Sequence, residues 1–329
     1  IDAKAAELDF VSGPRLLDVD VGLEARGVGA RTGRLRLLRG SAEVDGVALD
    51  LDGLDMHWFE AAEGMEVRIL AERFASNPLL RLIEGTQRVP PLAQRWLAGL
   101  APEGEVRNAR LRIEPGKGRF ALQAEVGDLH LEPYRGAPGI SRADLDLVLY
   151  EGGGWVDLDS GPFRLHFPDV FAEAWDYDRG HGRVDFAFEP KMVAVESGDI
   201  EIISDGVHAH GAFALHLPED ERERSLSLLI GIDSADAERI PEFLPARMPP
   251  KLRGWLVNAI RTGRMESGGV VINGLLLPHL RPGPLRPELF FEISEGTLAF
   301  HPRWPLGRDV RGRFLLERDA FSAYLAAGE

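Results

Sequence analysis

Three histidines lie at a spacing that could place them together on one strand. They are His208, His210 and His216, and residues two apart in an extended strand share a face. Imidazole nitrogens that share a face can hold a zinc ion. The chain has no cysteine to complete such a site, and the alternation of this segment puts the histidines on its polar face. The sequence therefore favours a solvated strand face over a metal site.

Two acidic pairs could also do chemistry, because paired carboxylates can act as general acid and general base. Asp144 lies two residues before Asp146, and Asp157 lies two residues before Asp159. Acid–base catalysis requires that the two carboxyl groups have contrasting environments. Both pairs alternate with apolar residues, so we expect all four carboxylates on a solvated strand face.

Motifs of nucleotide-binding proteins and hydrolases do not accompany these side chains. The sequence contains no G-x-x-x-x-G-K-[ST], no H-E-x-x-H and no G-x-S-x-G. It therefore predicts a protein that is not an enzyme and that has no cofactor and no metal.

The net charge limits the partners of the protein. Its 329 residues include 38 Lys and Arg against 53 Asp and Glu, which gives a net charge of −15. Nucleic acids and anionic lipid surfaces both attract clustered basic side chains, so neither is expected as a partner. The hydrophobic content of 44% leaves room for a large core or for an apolar ligand.

The ends of the chain suggest a piece of a longer protein. It begins with Ile1, and it contains no apolar run of the ~18 residues that a membrane-spanning helix needs. We expect any signal peptide or membrane anchor to lie outside this sequence.

Alternation of polar and apolar residues dominates the elements that position these side chains. It runs through residues 119–126, 144–149, 183–188 and 208–217. Such segments place charge on one face of a strand and Leu, Phe or Val on the other. The sequence predicts a mainly β fold: an elongated, twisted antiparallel sheet curled into a repeating β-groove, with a few short helices at unit junctions.

A long internal repeat organises the chain. Each copy begins with two prolines and a helical pattern, and an alternating strand follows. The matched pairs are Trp96 with Trp255, Gly104 with Gly263, and Ile113 with Ile272, and all three pairs have the same separation along the sequence. We interpret residues 1–75 as the end of one unit, 76–248 as a complete unit and 249–329 as the start of the next.

The repeated blocks resemble the YhdP-type proteins of the bacterial AsmA-like group, to which TamB is related. The resemblance rests on residues 91–104 (PLAQRWLAGLAPEG), 243–263 (FLPARMPPKLRGWLVNAIRTG) and 298–314 (LAFHPRWPLGRDVRGRF). It covers residues from about 75 to 318, roughly three quarters of the chain. The loop after Gly274 departs from the family, because it is apolar where the family often has aromatic residues.

This resemblance implies a large envelope protein that is anchored in the inner membrane by an N-terminal helix absent from this chain. Its body would cross the periplasm as a β-groove and carry phospholipids between the two membranes. The implied partners are phospholipid acyl chains, together with inner- and outer-membrane components that meet other regions of the protein. No nucleic acid is implied.

The apolar face of the strands is the predicted lining of the groove. Burying an acyl chain there contributes about 0.8 kcal/mol per CH2 group. The predicted lining residues are Leu111, Ile113, Phe120, Leu122, Leu145, Leu147, Phe186, Phe188, Phe213, Leu215, Leu226, Leu228, Ile230, Leu298 and Phe300. Asp185 is the predicted outward neighbour of Phe186.

Two other functions are alternatives to the lipid groove. Packed against a second layer, the apolar face would form the dry core of a structural periplasmic rod or an interaction module. A carbohydrate-active protein would instead need an exposed cleft with aromatic platforms and two opposed carboxylates. The few aromatic residues (8%) fall at inward positions, which weighs against this function.

Trp96 and Trp255 occupy equivalent positions on the two predicted helices. They could gate the mouth of the groove, or they could anchor each helix on the strands. Because tryptophan buries a large area wherever it packs, the anchor role is favoured.

Overall fold

A computed structural model describes most of the chain. The described residues are 2–8, 16–27, 29, 31–44, 47–50, 52–76, 91–168, 171, 173–204, 206–237, 239, 244, 250–276, 286–299, 303, 305–317 and 320–327.

Strands make up most of the described residues. The strands are β1 Asp2–Leu8, β2 Leu16–Arg26, β3 Thr32–Val44, β4 Val47–Asp50, β5 Asp55–Ala61, β6 Gly64–Ala75, β7 Glu103–Glu114, β8 Arg119–Leu131, β9 Gly139–Tyr150, β10 Gly153–Ser160, β11 Phe163–His166, β12 Trp175–Tyr177, β13 Arg179–Glu189, β14 Met192–Ser204, β15 Val207–Pro218, β16 Ser225–Asp236, β17 Ile260–Leu275, β18 Arg286–Leu298, β19 Gly307–Glu317 and β20 Ala320–Ala327. The described helices are α1 Pro91–Leu100 and α2 Pro250–Ala259, and single 3-10 turns cover Pro115–Lys117 and Glu221–Glu223. The predicted mainly antiparallel β fold with a few short helices is confirmed.

The chain divides into two compact units. Unit 1 contains Ile1–Tyr134, Gly139–Asp159 and Asp185–Pro190. Unit 2 contains Arg135–Pro138, Ser160–Val184 and Lys191–Glu329. The division into 1–75, 76–248 and 249–329 follows the sequence repeat instead, and it stays a prediction.

Unit 1 is built from antiparallel neighbours along the chain. Strands β5, β6, β7, β8 and β9 pair successively, and β10 pairs with β9. Residues directly opposite each other in an antiparallel pair share a face. One cross-strand row on that face contains Leu35, Met56, Ile69, Leu111, Leu122 and Leu149. We call the face that carries this row the inner face of unit 1, and the opposite face its outer face.

Unit 2 follows the same plan. Strands β14 to β20 each pair antiparallel with the next strand in the sequence. Its inner face carries a row made of Gly211, Ile230, Val270, Leu289 and Leu316.

The sequence repeat recurs as structure. Helices α1 and α2 have the same length, and both begin and end at matched positions of the repeat. The carbonyl oxygen of Leu100 accepts the backbone N–H of Glu132, and that of Ala259, in the same helical position, accepts the N–H of Ala299. The last residue of each helix is thus hydrogen-bonded to the residue that follows the second strand after that helix.

Left-handed residues interrupt the alternation at comparable places in the two copies. Asp128 and Arg142 have φ of 51° and 63°, and Glu295 and Asp309 have φ of 53° and 52°. The second pair lies somewhat farther along the chain than the repeat alone would place it, because the β17–β18 connection is longer than the β7–β8 turn. These residues lie at register shifts between the paired strands, where a bulge re-aims the side chains that follow.

Candidate functional site

The inner face of unit 1 collects the predicted lining residues of strands β7, β8 and β9. Leu111 lies opposite Leu122, and Ile113 lies opposite Phe120. Leu145 and Leu147 follow on β9, opposite Val126 and Ala124. The structure therefore brings all six predicted residues of these strands onto one face.

This face is only partly closed. The side chains of Leu111, Ile113, Leu122, Leu145 and Leu147 are half-buried, and Phe120 is 38% exposed. A small buried cluster lies beside them, made of Phe74, Ala109 and Ala124 with Ala71, Val106 and Leu122 packed against it. The half-buried leucines could therefore contact an apolar ligand without unfolding of the core.

Phe186 and Phe188 add an aromatic pair to unit 1. Their ring centroids are 5.5 Å apart with an interplanar angle of 57°. The ring of Phe186 lies against Gly154, where a Cβ atom would be 2.9 Å from its Cζ atom. Gly154 lies opposite Leu149 of the inner row, and Asp185 is exposed. A glycine at 154 thus leaves room for an aromatic ring on the inner face.

The predicted residues of unit 2 also share one face, but their exposure differs. Phe213 lies opposite Leu228, and Leu215 lies opposite Leu226. Phe213, Leu228 and Ile230 are half-buried, whereas Leu215 and Leu226 are 5% and 7% exposed. Only the first three offer surface to a ligand.

Leu298 lies in a closed part of unit 2. Its exposure is 0%, and it pairs with Ile260 at the start of β17, next to the end of α2. Phe300 lies outside the described residues. A role for either residue in lining a groove stays a prediction.

Two aromatic residues outside the predicted lining also lie on the inner face of unit 2. Phe291 and Phe314 face each other across β18 and β19. Their rings stack with centroids 5.0 Å apart and an angle of 17°, and the residues are 6% and 1% exposed. Alternation in 288–294 and 311–317 was the available signal, since both phenylalanines fall on the apolar parity of their strands.

Trp96 of helix α1 is buried within unit 1. It is 7% exposed, and its ring meets the ring of Tyr134 edge-on at 5.3 Å. Gly99 lies under the same tyrosine ring, with no room for a Cβ atom. Trp255 of α2 is only half-buried. Trp96 is thus packed within unit 1, and both the anchoring and the gating role of the two tryptophans stay predictions.

The outer face of unit 1 carries ion pairs. Glu66 lies between Arg68 and Arg112, with nitrogen–oxygen distances of 2.6 Å and 2.9 Å. Glu105 likewise bridges Arg73 and Arg107, at 3.0 Å each. The hydrogen bond from Arg68 and the charge of Arg112 hold the pKa of Glu66 below its ordinary value, although burial opposes this shift.

The histidines on the outer face of unit 2 bind carboxylates of neighbouring strands. His208 Nε2 is 2.6 Å from Glu201 and its Nδ1 is 2.8 Å from Asp233. His216 Nε2 is 3.2 Å from Glu196. Within the described part of the chain, histidine and acidic side chains form no group that could hold a metal ion.

The predicted acidic pairs also lie on the outer face, in unit 1. Asp146 lies opposite both Glu125 of β8 and Asp157 of β10. Asp144 Oδ1 accepts the backbone N–H of Asp128 at the β8 bulge, at 3.1 Å. Asp146 thus faces carboxylates on both neighbouring strands, and Asp144 accepts a hydrogen bond from the backbone.

Comparison with known families decides the relationship of the chain. The family model described as "YhdP protein" matches residues 34–329. The chain belongs to the YhdP family. This YhdP-family chain matches no curated protein and no solved structure. Neither described helix of this YhdP-family chain has the length and hydropathy needed to span a membrane.

Proposed function

We propose that this chain is a non-enzymatic segment of a lipid conduit that carries phospholipids between the inner and outer membranes. The observation that carries the proposal is the apolar row on the inner face of unit 1. Its six strands, side by side, extend over roughly 24 Å. Half-buried leucines along this row offer a surface on which an acyl chain can lie, while a charged headgroup stays in water.

The movement of lipid in this mechanism is passive. Apolar contacts have no preferred direction, so an acyl chain can slide between equivalent leucines at little cost in free energy. The outer face of unit 1 carries ion pairs, which offer no apolar surface to the acyl chain. The segment would lie in the periplasm, in a protein held to the inner membrane by a helix outside this sequence, and membership of the YhdP family supports this setting.

A structural rod is the second candidate, and the closed part of unit 2 favours it. Phe314, Ile293 and Leu298 are at most 1% exposed, as in a dry protein core. If the inner face of unit 1 were filled in the same way, the protein would act as a spacer and would carry no lipid.

Photo-crosslinking of neighbouring positions on one strand tests the conduit. A photo-reactive amino acid at Leu122 faces inward, and the same amino acid at Gln123 faces outward on the same strand. Phe186 and Asp185 form a second matched pair. We expect phospholipid adducts at Leu122 and Phe186 after irradiation in cells, detected by mass spectrometry. Equal labelling of both members of each pair, or no labelling of any, would leave the rod as the better description.

A further inference from the structure

The outer face of unit 2 carries an apolar patch where solvated side chains would be expected. The outer patch consists of Ala212, Leu229, Val271, Phe290 and Leu315. Leu229 is 54% exposed and Phe290 is 43% exposed. Neighbouring exposed apolar side chains on a solvated sheet face mark a surface for contact with another molecule.

Strand register makes the patch continuous. Ala212, Leu229 and Val271 lie opposite one another on three adjacent strands, and Phe290 lies opposite Leu315. The ring of Phe290 leans over Gly269, two residues before Val271, where a Cβ atom would collide with it. The two rows therefore join into one surface.

A pair of like charges borders the outer patch. Glu288 lies opposite Val271 on one side and opposite Glu317 on the other. Like charges directly opposite in a sheet destabilise it. Among the residues that the structure describes, neither glutamate forms an ion pair, whereas the nearby Glu292 is bound by Arg313. The edge of the patch thus carries two carboxylates that form no ion pair with another described residue.

We propose that the outer patch is a docking surface for a basic amphipathic helix of another protein. The apolar stripe of such a helix would cover Leu229 and Phe290, and its flanking Lys or Arg side chains would neutralise Glu288 and Glu317. A symmetric contact with a second copy of this chain would bring the two acidic pairs together and is disfavoured. Anionic membranes are disfavoured by the same charges and by the net charge of −15.

A synthetic peptide tests this docking surface. The probe is a fluorescent helical peptide of Leu and Lys, about five turns long, with one apolar face, and a Glu-for-Lys version is its counterpart. Fluorescence anisotropy measures binding to the purified chain. We expect binding of the Lys peptide and not of the Glu peptide. We expect Leu229→Ser, and separately Glu288→Gln/Glu317→Gln, to weaken it by tenfold or more.

Matched variants separate this patch from other sites. Leu70→Ser removes a leucine that is 49% exposed on the outer face of unit 1, and Glu60→Gln/Glu63→Gln removes the same charge elsewhere. Leu122→Gln changes the inner face. All three should bind the Lys peptide like the parent chain, with melting curves confirming that every variant folds. The proposal fails if the parent chain does not bind, or if control and patch variants weaken binding equally.

Two other occupants of the outer patch would also show themselves. Analytical ultracentrifugation that finds a dimer abolished by Leu229→Ser would assign the patch to a second copy of the chain. Flotation with phosphatidylcholine vesicles that is lost in the same variant would assign it to a membrane. Either result would overturn the proposal, and neither would affect crosslinking of lipid to Leu122.

Discussion

Glu66 shows what single side chains contribute to the outer face. It is 5% exposed, and two arginines bind its two carboxylate oxygens. Because the carboxylate is removed from water, its charge is tolerable only while both partners remain. The neutral isostere would keep the shape of the side chain but lose the ionic hydrogen bonds.

We predict that Glu66→Gln lowers the free energy of unfolding by about 1 kcal/mol at pH 7. The pKa of Glu66 is depressed in the folded state, so its contribution is present above the ordinary value of 4.5. It is lost as the pH falls through the lower folded value. Urea unfolding at pH 7, 5, 4 and 3 measures the difference between variant and parent, which should shrink below pH 4.5.

The control for this prediction is Glu72→Gln on the same strand. Glu72 is exposed, and the variant should change the free energy of unfolding by less than about 0.5 kcal/mol at every pH. A Glu66→Gln effect that stays constant from pH 7 to 3 would show that the ionised carboxylate is not its source.

Alternation predicts on which face of a strand a residue lies, but it says little about how deeply the side chain is buried. It predicts opposite faces for Phe186 and Asp185, and the phenylalanine is half-buried while the aspartate is exposed. It could not show that Leu298 is fully buried and Phe120 is 38% exposed. Both residues lie on the apolar side of their strands. Their different exposure depends on which side chains pack over them, and alternation carries no information about that packing.

Helix α1 shows how an element is fixed by a residue that lacks a side chain. Gly99 allows the ring of Tyr134 to lie against the helix, and the rings of Trp96 and Tyr134 meet in an edge-to-face contact. The left-handed Ala101 then ends the helix, and its N–H binds the carbonyl oxygen of Leu97. The sequence predicts the helix from its proline start, but the tyrosine lies beyond the next two strands and gives no local signal.

We predict opposite effects from the same substitution in the two helices. Glycine inside a helix normally costs about 0.5–1 kcal/mol relative to alanine. Gly254→Ala in α2 meets no atom within 4 Å and should raise the free energy of unfolding by up to that amount. Gly99→Ala must displace Tyr134 and should lower it by about 1–3 kcal/mol. Chemical denaturation of both variants measures the two signs.

A second substitution tests whether the collision with Tyr134 causes the effect of Gly99→Ala. Tyr134→Leu removes the aromatic ring, so Gly99→Ala should cost less in that background than in the parent chain. Equal costs in both backgrounds would show that the collision with Tyr134 is not the cause.

At the scale of the whole molecule, the composition and the two-residue alternation of polar and apolar residues are sufficient to predict the fold class. Strands with one apolar parity predict antiparallel pairing, and the YhdP resemblance of residues 91–104 and 243–263 is confirmed by the family match. The outer patch was not predicted, because only the strand register shows that Leu229 and Phe290 have apolar neighbours on the adjacent strands. The amphipathic pattern also does not distinguish an open apolar face from a filled one.

We predict that the whole chain binds fatty acid through the inner face of unit 1. Leu122→Gln/Leu147→Gln places two polar groups on that face and should weaken binding of a fluorescent fatty acid by about tenfold. The reason is the lost contact area and the cost of desolvating two amides. Fluorescence titration of the purified chain measures the dissociation constant.

The matched control is Gln123→Glu/Asp146→Asn, which changes the outer face of the same strands. It should leave the dissociation constant within about twofold of the parent value. Similar weakening by both variants would show that the fatty acid does not lie on the inner face.

The pairing of each strand with its successor has a consequence for biogenesis. Within unit 2, β14 to β20 form their ladders in the order in which a ribosome makes them. Where the connection is short, a new strand pairs with its predecessor at small entropic cost and adds to the ladder already present; the connection from β16 to β17 is longer and includes helix α2. The unit can therefore assemble strand by strand while its C-terminal part is still being synthesised, and an error in one strand pair should stop assembly there without undoing the earlier pairs.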